Sequence, residues 1–215
     1  TTLNKIKHFI GDRPVRRLYS DNSGEIKSAL LKLGLMLENA QTDRPQTHAI
    51  IERENQDILR GIRTFLDEAG LPLEFWTFAA EHYSFVHNAT AIKDQSAYFW
   101  THNENFKGKI LPFGCHVICR PSQTKDDHPT RKMSTPTIDG IFCGYDIAPG
   151  YGWSGGCKCW GLNEFLNTNL DKDAKSVSTA HRSPHICDVV EFPKEGSVYP
   201  LKAKYDRINH TLEGR

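Results

Sequence analysis

The sequence predicts an α/β region followed by a small β-rich domain. Three observations lead there. Residues 15–37 alternate a short strand, a helix and a second short strand. Residues 51–69 carry a single apolar stripe at helical spacing. Beyond about residue 110 the chain breaks into short β-type runs separated by glycine turns. These features divide it into residues 1–107, residues 108–194 and a charged tail, 195–215.

Leu3, Ile6, Phe9 and Ile10 predict an opening helix that Gly11-Asp12-Arg13-Pro14 ends. Val15 to Tyr19 reads as a strand that closes on Ser20-Asp21. Glu25 to Leu33 is predicted helical, with Ile26, Ala29, Leu30 and Leu33 on one face and Gly34 at the capping position. Leu35-Met36-Leu37 reads as the next strand, and the polar run Asn39 to His48 as a loop. The stripe Ile51, Ile58, Ile62, Phe65 and Ala69 then predicts a long amphipathic helix, stopped by Gly70-Leu71-Pro72. Glu52 falls one position off this stripe, at the expected edge of the buried face, with Asn55 and Gln56 pointing the same way. Glu74 to Asn88 forms another helix, whose aromatic residues Phe75, Trp76, Phe78, Tyr83 and Phe85 recur all round it and are expected in a core. From Leu111 onward, short runs with glycine turns suggest an antiparallel barrel, interrupted by a polar loop over 121–136.

Composition narrows the function classes. A chain of 215 residues with 38% hydrophobic and 25% charged residues is ordinary for a globular protein. No apolar run approaches the roughly 20 residues that a membrane-crossing helix needs. The net charge of +1 gives no global support to nucleic-acid binding. Locally, Lys5, Lys7, Arg13, Arg16 and Arg17 against Asp12 give the first seventeen residues a charge of +4. Such a run is ordinarily a solvated helix face; the alternative is a phosphate-contacting patch. The chain opens Thr-Thr-Leu-Asn without Met, which reads as an internal piece of a polyprotein, a processed chain or one whose start lies further upstream.

Six cysteines, Cys115, Cys119, Cys143, Cys157, Cys159 and Cys187, include two close pairs, Cys115-x3-Cys119 and Cys157-x-Cys159. Neither pair has the C-x2-C spacing of a zinc ribbon, so buried strand thiols are the default expectation, with a zinc-dependent binding module built on these pairs as the weaker alternative.

Two blocks carry the chemistry. Leu18-Tyr19-Ser20-Asp21-Asn22-Ser23-Gly24-Glu25 sets an acid at the end of a strand, and Pro45-Gln46-Thr47-His48-Ala49-Ile50-Ile51-Glu52-Arg53-Glu54-Asn55 sets a second on a long helix. Carboxylate oxygens on rigid, sequence-distant elements suit Mg²⁺ or Mn²⁺, and such ions stabilise the attacking and leaving oxygens of phosphoryl transfer.

These blocks, in this order, resemble the integrases of Ty1/copia-type retrotransposons, where they read SDNGGE and PQQNGVAER. Further matches follow in the family's order. Ala69-Gly70-Leu71-Pro72-Leu73-Glu74-Phe75-Trp76 is similar to AGLPxxFW, and Leu111-Pro112-Phe113-Gly114-Cys115 to LRVFGC. Asp139-Gly140-Ile141-Phe142-Cys143-Gly144-Tyr145 resembles KGIFVGY, and Gly150-Tyr151-Gly152-Trp153 resembles the GYR turn. Val177-Ser178 with Asp188-Val189-Val190-Glu191-Phe192 resembles the strand VxxSRDVxF. The resemblance covers residues 15–192 and implies a partial RNase H-like core followed by an SH3-like binding domain. It implies that Asp21 and Glu52 are the second and third acids of a three-acid metal site, and that Arg53 and Asn55 lie near DNA; Lys5, Lys7 and Arg16 are DNA-contact candidates from the local positive run alone. It also implies a nuclear or cytoplasmic setting, or an organelle where a targeting segment has been removed.

Several positions depart from the pattern. Ser23 and Ala49 replace glycines, and Ala89 stands where an Arg is usual after Asn88. The span from Asp21 to Glu52 is shorter than the family's by more than one helical turn of ~3.6 residues, with the shortfall between Asp21 and Gly34. No residue before Asp21 matches the family's first acid, and the upstream zinc-binding His/Cys module has no counterpart. The leading expectation is therefore an integrase-like fragment that does not catalyse DNA strand transfer alone, since loss of one member of a catalytic set costs orders of magnitude in rate. The alternative is a domesticated, non-catalytic remnant acting as a structural or interaction subunit beside other proteins.

Overall fold

The computed structural model describes residues 2–20, 23–39, 45–90, 95–121, 137–172, 183–191 and 196–210. It is mixed α/β and forms two compact units, Thr1–Asp57 with Ile147–Ser154, and Ile58–Asp146 with Gly155–Arg215.

The first unit begins with α1 (Thr2–Ile10), which packs against α2 (Gly24–Leu33). Helix α2 connects β1 (Arg17–Ser20) to β2 (Met36–Asn39), and the two strands pair in parallel with Arg17 beside Met36 and Ser20 beside Asn39. Local chemistry sets the ends of α2. The Ser23 hydroxyl accepts the Ile26 N–H at 3.4 Å, satisfying an amide that has no partner within the helix. At the other end Gly34 adopts φ 66°, and the Leu35 N–H donates to the Leu30 carbonyl at 3.0 Å, a closure that favours glycine. Ala29 and Leu30 are the buried hydrophobic residues of this unit among those described, whereas Phe9, Tyr19, Leu31 and Met36 stand in solvent.

The turn over residues 147–154 belongs to the same unit. Gly150 donates its N–H to the His8 carbonyl at 2.9 Å, and the Phe9 and Tyr151 rings meet edge to face at 5.4 Å. The chain comes so close here that a Cβ on Gly11 would lie 2.5 Å from the Gly150 nitrogen.

Helix α3 (Pro45–Ala69) opens with Pro at its first position, where the missing N–H costs nothing, so the helix begins inside the stretch expected to be a loop up to His48. Residues 40–44 of that stretch lie outside the described residues. Its C-terminal half enters the second unit. Gly70 at φ 70° ends it, with the Leu71 N–H on the Leu66 carbonyl at 2.9 Å. A 3₁₀ turn, Leu73–Phe75, leads into α4 (Trp76–Ala89), and α5 (Ala97–His102) follows, capped by the Ser96 hydroxyl accepting the Phe99 N–H at 3.0 Å.

The strands β3 (His116–Pro121), β4 (Ile138–Ile147), β5 (Trp153–Gly161) and β6 (His185–Glu191) close into an antiparallel barrel in the order β3-β4-β5-β6. The expected small antiparallel barrel is thus present. The loop expected over 121–136 lies outside the described residues from 122 onward, as does the match at Val177-Ser178.

One core joins the helices and strands of this second unit. Ile62, Leu66, Ala69, Phe75 and Ala79 pack with Phe113, Ile141, Cys143 and Trp160. Trp160 is fully buried, with the rings of Phe75 and Phe78 edge-on to it at 5.0 and 4.9 Å. Residues of this size contribute about 1.5–3 kcal/mol each when fully buried. The aromatic residues expected in the core divide: Phe75 and Phe85 are buried, Phe78 and Tyr83 half-buried, and Trp76 exposed.

The tail expected over 195–215 contains a helix instead. α6 (Lys202–Asn209) buries Tyr205 and Asn209, with Leu201 just before it. The Asn209 amide donates to the Leu170 carbonyl at 3.0 Å and its side-chain oxygen accepts the Lys172 N–H at 2.9 Å. Those contacts hold a segment whose own apolar periodicity is weak.

Candidate functional site

Asp21 lies outside the described residues; it directly follows Ser20, the last residue of β1. Glu52 is the eighth residue of α3 and is exposed. Arg53 and Asn55 are exposed with it, and so is every residue from Glu52 to Asp57. Among the described residues of α3, none from Glu52 to Asp57 shows the expected edge of a buried face. The inward stripe of α3 starts at Ile58, which packs against the core with Phe65, while Ile62, Leu66 and Ala69 are buried. The side chain of Ile51 lies outside the described set.

The cations of the first seventeen residues do unequal work. Arg13 folds back over α1: its guanidinium donates to the Phe9 carbonyl, and to the Ile10 carbonyl at 3.0 Å, and lies 5.0 Å from the Phe9 ring centre. It thereby satisfies carbonyls at the end of the helix. Arg17 faces Glu38 at 3.5 Å across the parallel pair, both exposed, an arrangement that contributes little to stability. Lys5, Lys7 and Arg16 are exposed.

A metal-ligand geometry absent from the spacing argument occurs in the barrel. Among the described residues, Cys119, Cys159 and Cys187 bring their sulfurs within 4.8 Å of one another, and all three residues are fully buried. The sequence pairs Cys115 with Cys119 and Cys157 with Cys159, but the fold takes one cysteine from each of three strands. Hydrogen bonds from Cys159 and Cys187 hold the Cys119 thiol well below its usual range. The hydrogen bond with Cys119 pushes the Cys159 and Cys187 thiols up. Burial raises Cys115 and Cys157 to about 11. All six thiols are free.

Around β6, the Glu164 carboxylate accepts the Gly161 N–H at 2.8 Å and meets the His185 ring nitrogen at 3.1 Å, tying the 3₁₀ turn Leu162–Phe165 to the strand. No described helix is long and apolar enough to cross a membrane.

No family model matches the chain. Over 146 residues it is 28% identical to the retrovirus-related Pol polyprotein from transposon TNT 1-94 of Nicotiana tabacum, a match covering 62% of this chain and 10% of that polyprotein. The chain therefore spans about a tenth of the length of the curated relative it matches. The similarity supports a retroelement-related origin for the chain.

Proposed function

We propose that this chain is an integrase-like fragment of a retroelement polyprotein, with residues 1–107 a partial RNase H-like core and residues 108–194 an SH3-like binding domain. The observation that carries this reading is the β1–α2–β2 arrangement. Two parallel strands are joined by a crossover helix, a candidate carboxylate follows the first strand, and Glu52 stands exposed on the helix after the second. Parallel sheets are normally covered on both faces, and a pair of four-residue strands falls short of an independent sheet. Both features suit a sheet that further strands extend.

In this reading Asp21 and Glu52 supply hard oxygen donors for Mg²⁺ or Mn²⁺, and Lys5, Lys7, Arg16, Arg53 and Asn55 face DNA phosphates. The parent activity is metal-dependent DNA strand transfer, and the isolated chain lacks it. The test measures binding to a fluorescent DNA duplex across a salt series, with end joining assayed in parallel in Mg²⁺ and Mn²⁺. The expected result is binding that weakens steeply with salt, and no joined product. Replacing Lys5, Lys7 and Arg16 by Ala should flatten the slope by about one for each phosphate no longer neutralised. Joining by the isolated chain would contradict its inactivity; absence of DNA binding would overturn the DNA-facing role.

A second reading is a structural or interaction subunit. Its own support is the run Glu52–Asp57, exposed on every side, together with exposed Phe9, Tyr19, Leu31 and Met36 in the same unit. A stable protein partner recovered without any salt-sensitive DNA affinity would favour it.

A further inference from the structure

The barrel gathers three thiols that the DNA reading does not use. Cys119 comes from β3, Cys159 from β5 and Cys187 from β6, and none exposes any surface. Their convergence is built by the sheet register. Cys119 lies opposite position 190 of β6, and regular alternation would turn position 187, three residues away, to the other face. A register shift at Arg120/Pro121 brings Cys187 opposite Pro121 instead. The extra residue restores the face, so Cys187 joins Cys119. Cys187 also lies opposite Cys157, whose second neighbour along the strand, Cys159, shares its face. On β4, Gly140 leaves the space beside Cys119 clear: a Cβ there would lie 3.1 Å from the Cys119 sulfur.

Three sulfurs about 2.3 Å from one ion would sit about 4 Å from one another. The observed triangle, with every edge within 4.8 Å, is close to that size. We propose that Cys119, Cys159 and Cys187 form a three-sulfur site for a single thiophilic metal ion. Binding replaces the remaining thiol protons by metal–sulfur bonds and releases those protons to solvent, with no change in sulfur oxidation state. Sulfur ligands select soft ions, chiefly Cu(I) and Zn(II). Among the described residues no fourth His, Cys, Asp or Glu atom joins the triangle. Zinc sites usually hold four ligands, so three-coordinate Cu(I) fits better. This differs from the expectation drawn from cysteine spacing, which compared neighbours along the chain, and it stands independently of the DNA reading.

The test refolds the full chain under reducing, oxygen-free conditions with one equivalent of Cu(I) or Zn(II) in the presence of a chromophoric competitor. Bound metal is then counted, and the metal's X-ray absorption spectrum recorded. The expected result is one ion per chain in a sulfur-only shell, a raised unfolding midpoint and loss of uptake in Cys119→Ser and Cys187→Ser. Cys157→Ser keeps uptake. If either buried variant fails to fold, the spectrum and midpoint shift of the unsubstituted chain still decide. Uptake of Cu(I) alone assigns the site to a three-coordinate ion, and uptake of Zn(II) with a fourth oxygen ligand assigns it to zinc. No uptake against the competitor, nitrogen- or oxygen-dominated coordination, or a disulfide between two of the three in protein isolated without reductant would overturn the proposal.

Discussion

Acid should destabilise the second unit through one histidine. His82 sits on α4 at 2% exposure, ringed by Phe65, Phe113, Phe142 and Tyr145 with centroids 5.4, 5.7, 5.5 and 5.8 Å away. Its Nδ1 has no hydrogen-bond partner among the described residues. Burial in this aromatic cage disfavours the imidazolium and pushes the group from its ordinary 6.5 down to about 4. The folded value lies below the unfolded one, so the contribution is intact above pH 6.5 and is lost as pH falls toward 4. Linkage between those two values gives a loss of about 2 kcal/mol from pH 7 to pH 5, approaching about 3 kcal/mol near pH 4. The assay is urea unfolding at pH 7 and pH 5, for the unsubstituted chain and for His82→Leu, which fills similar space without titrating. With a slope of about 1–3 kcal/mol/M, the histidine chain should lose of order 1 M more of its midpoint than the variant does. Other titrating groups are common to both proteins and cancel in the comparison. An equal midpoint loss in the two proteins would refute the reasoning.

Gly61→Ala should destabilise by about 1–3 kcal/mol, although alanine is the better helix former, because the new Cβ would lie 2.0 Å from the Tyr83 ring. Urea unfolding measures it; adding Tyr83→Ala should make the pair non-additive, and a gain in stability from Gly61→Ala alone would contradict the packing argument. Tyr145→Phe should cost about 1–2 kcal/mol, since the buried hydroxyl donates to the Lys109 carbonyl at 2.7 Å and accepts the Leu111 N–H at 3.0 Å. Faster hydrogen exchange at the Leu111 amide is the expected signature, and unchanged protection there would dismiss the tie.

What the sequence made legible was local. Ser23 and Gly34 bracket α2 through contacts spanning a few residues, and Gly70 stops α3 by the same device, so reading along the chain finds them. The barrel announced itself through short runs and glycine turns. α6 was hidden because its stability comes from afar: its first residue lies against Gly70, where a Cβ would meet the Lys202 backbone at 2.7 Å. The sulfur triangle was hidden for a related reason, since one bulge decides which face Cys187 takes and nothing in the spacing of the cysteines reveals it. At the candidate carboxylate site the motifs named Glu52, while the solvent around its whole stretch of helix became visible only in three dimensions.

The turn that links β4 to β5 sets a timetable for synthesis. Thr1–Asp57 belongs with Ile147–Ser154, so the earlier made of these two units stays unfinished until residues 147–154 have been made. At roughly 5–20 residues per second, the interval between residues 57 and 154 is about 5–20 s. During it the Gly150 amide that meets His8, and the Tyr151 ring that meets Phe9, do not yet exist. A nascent chain halted before Gly150 would hold a helix pair and a parallel strand pair without their closing strap, a ready substrate for chaperones and proteases.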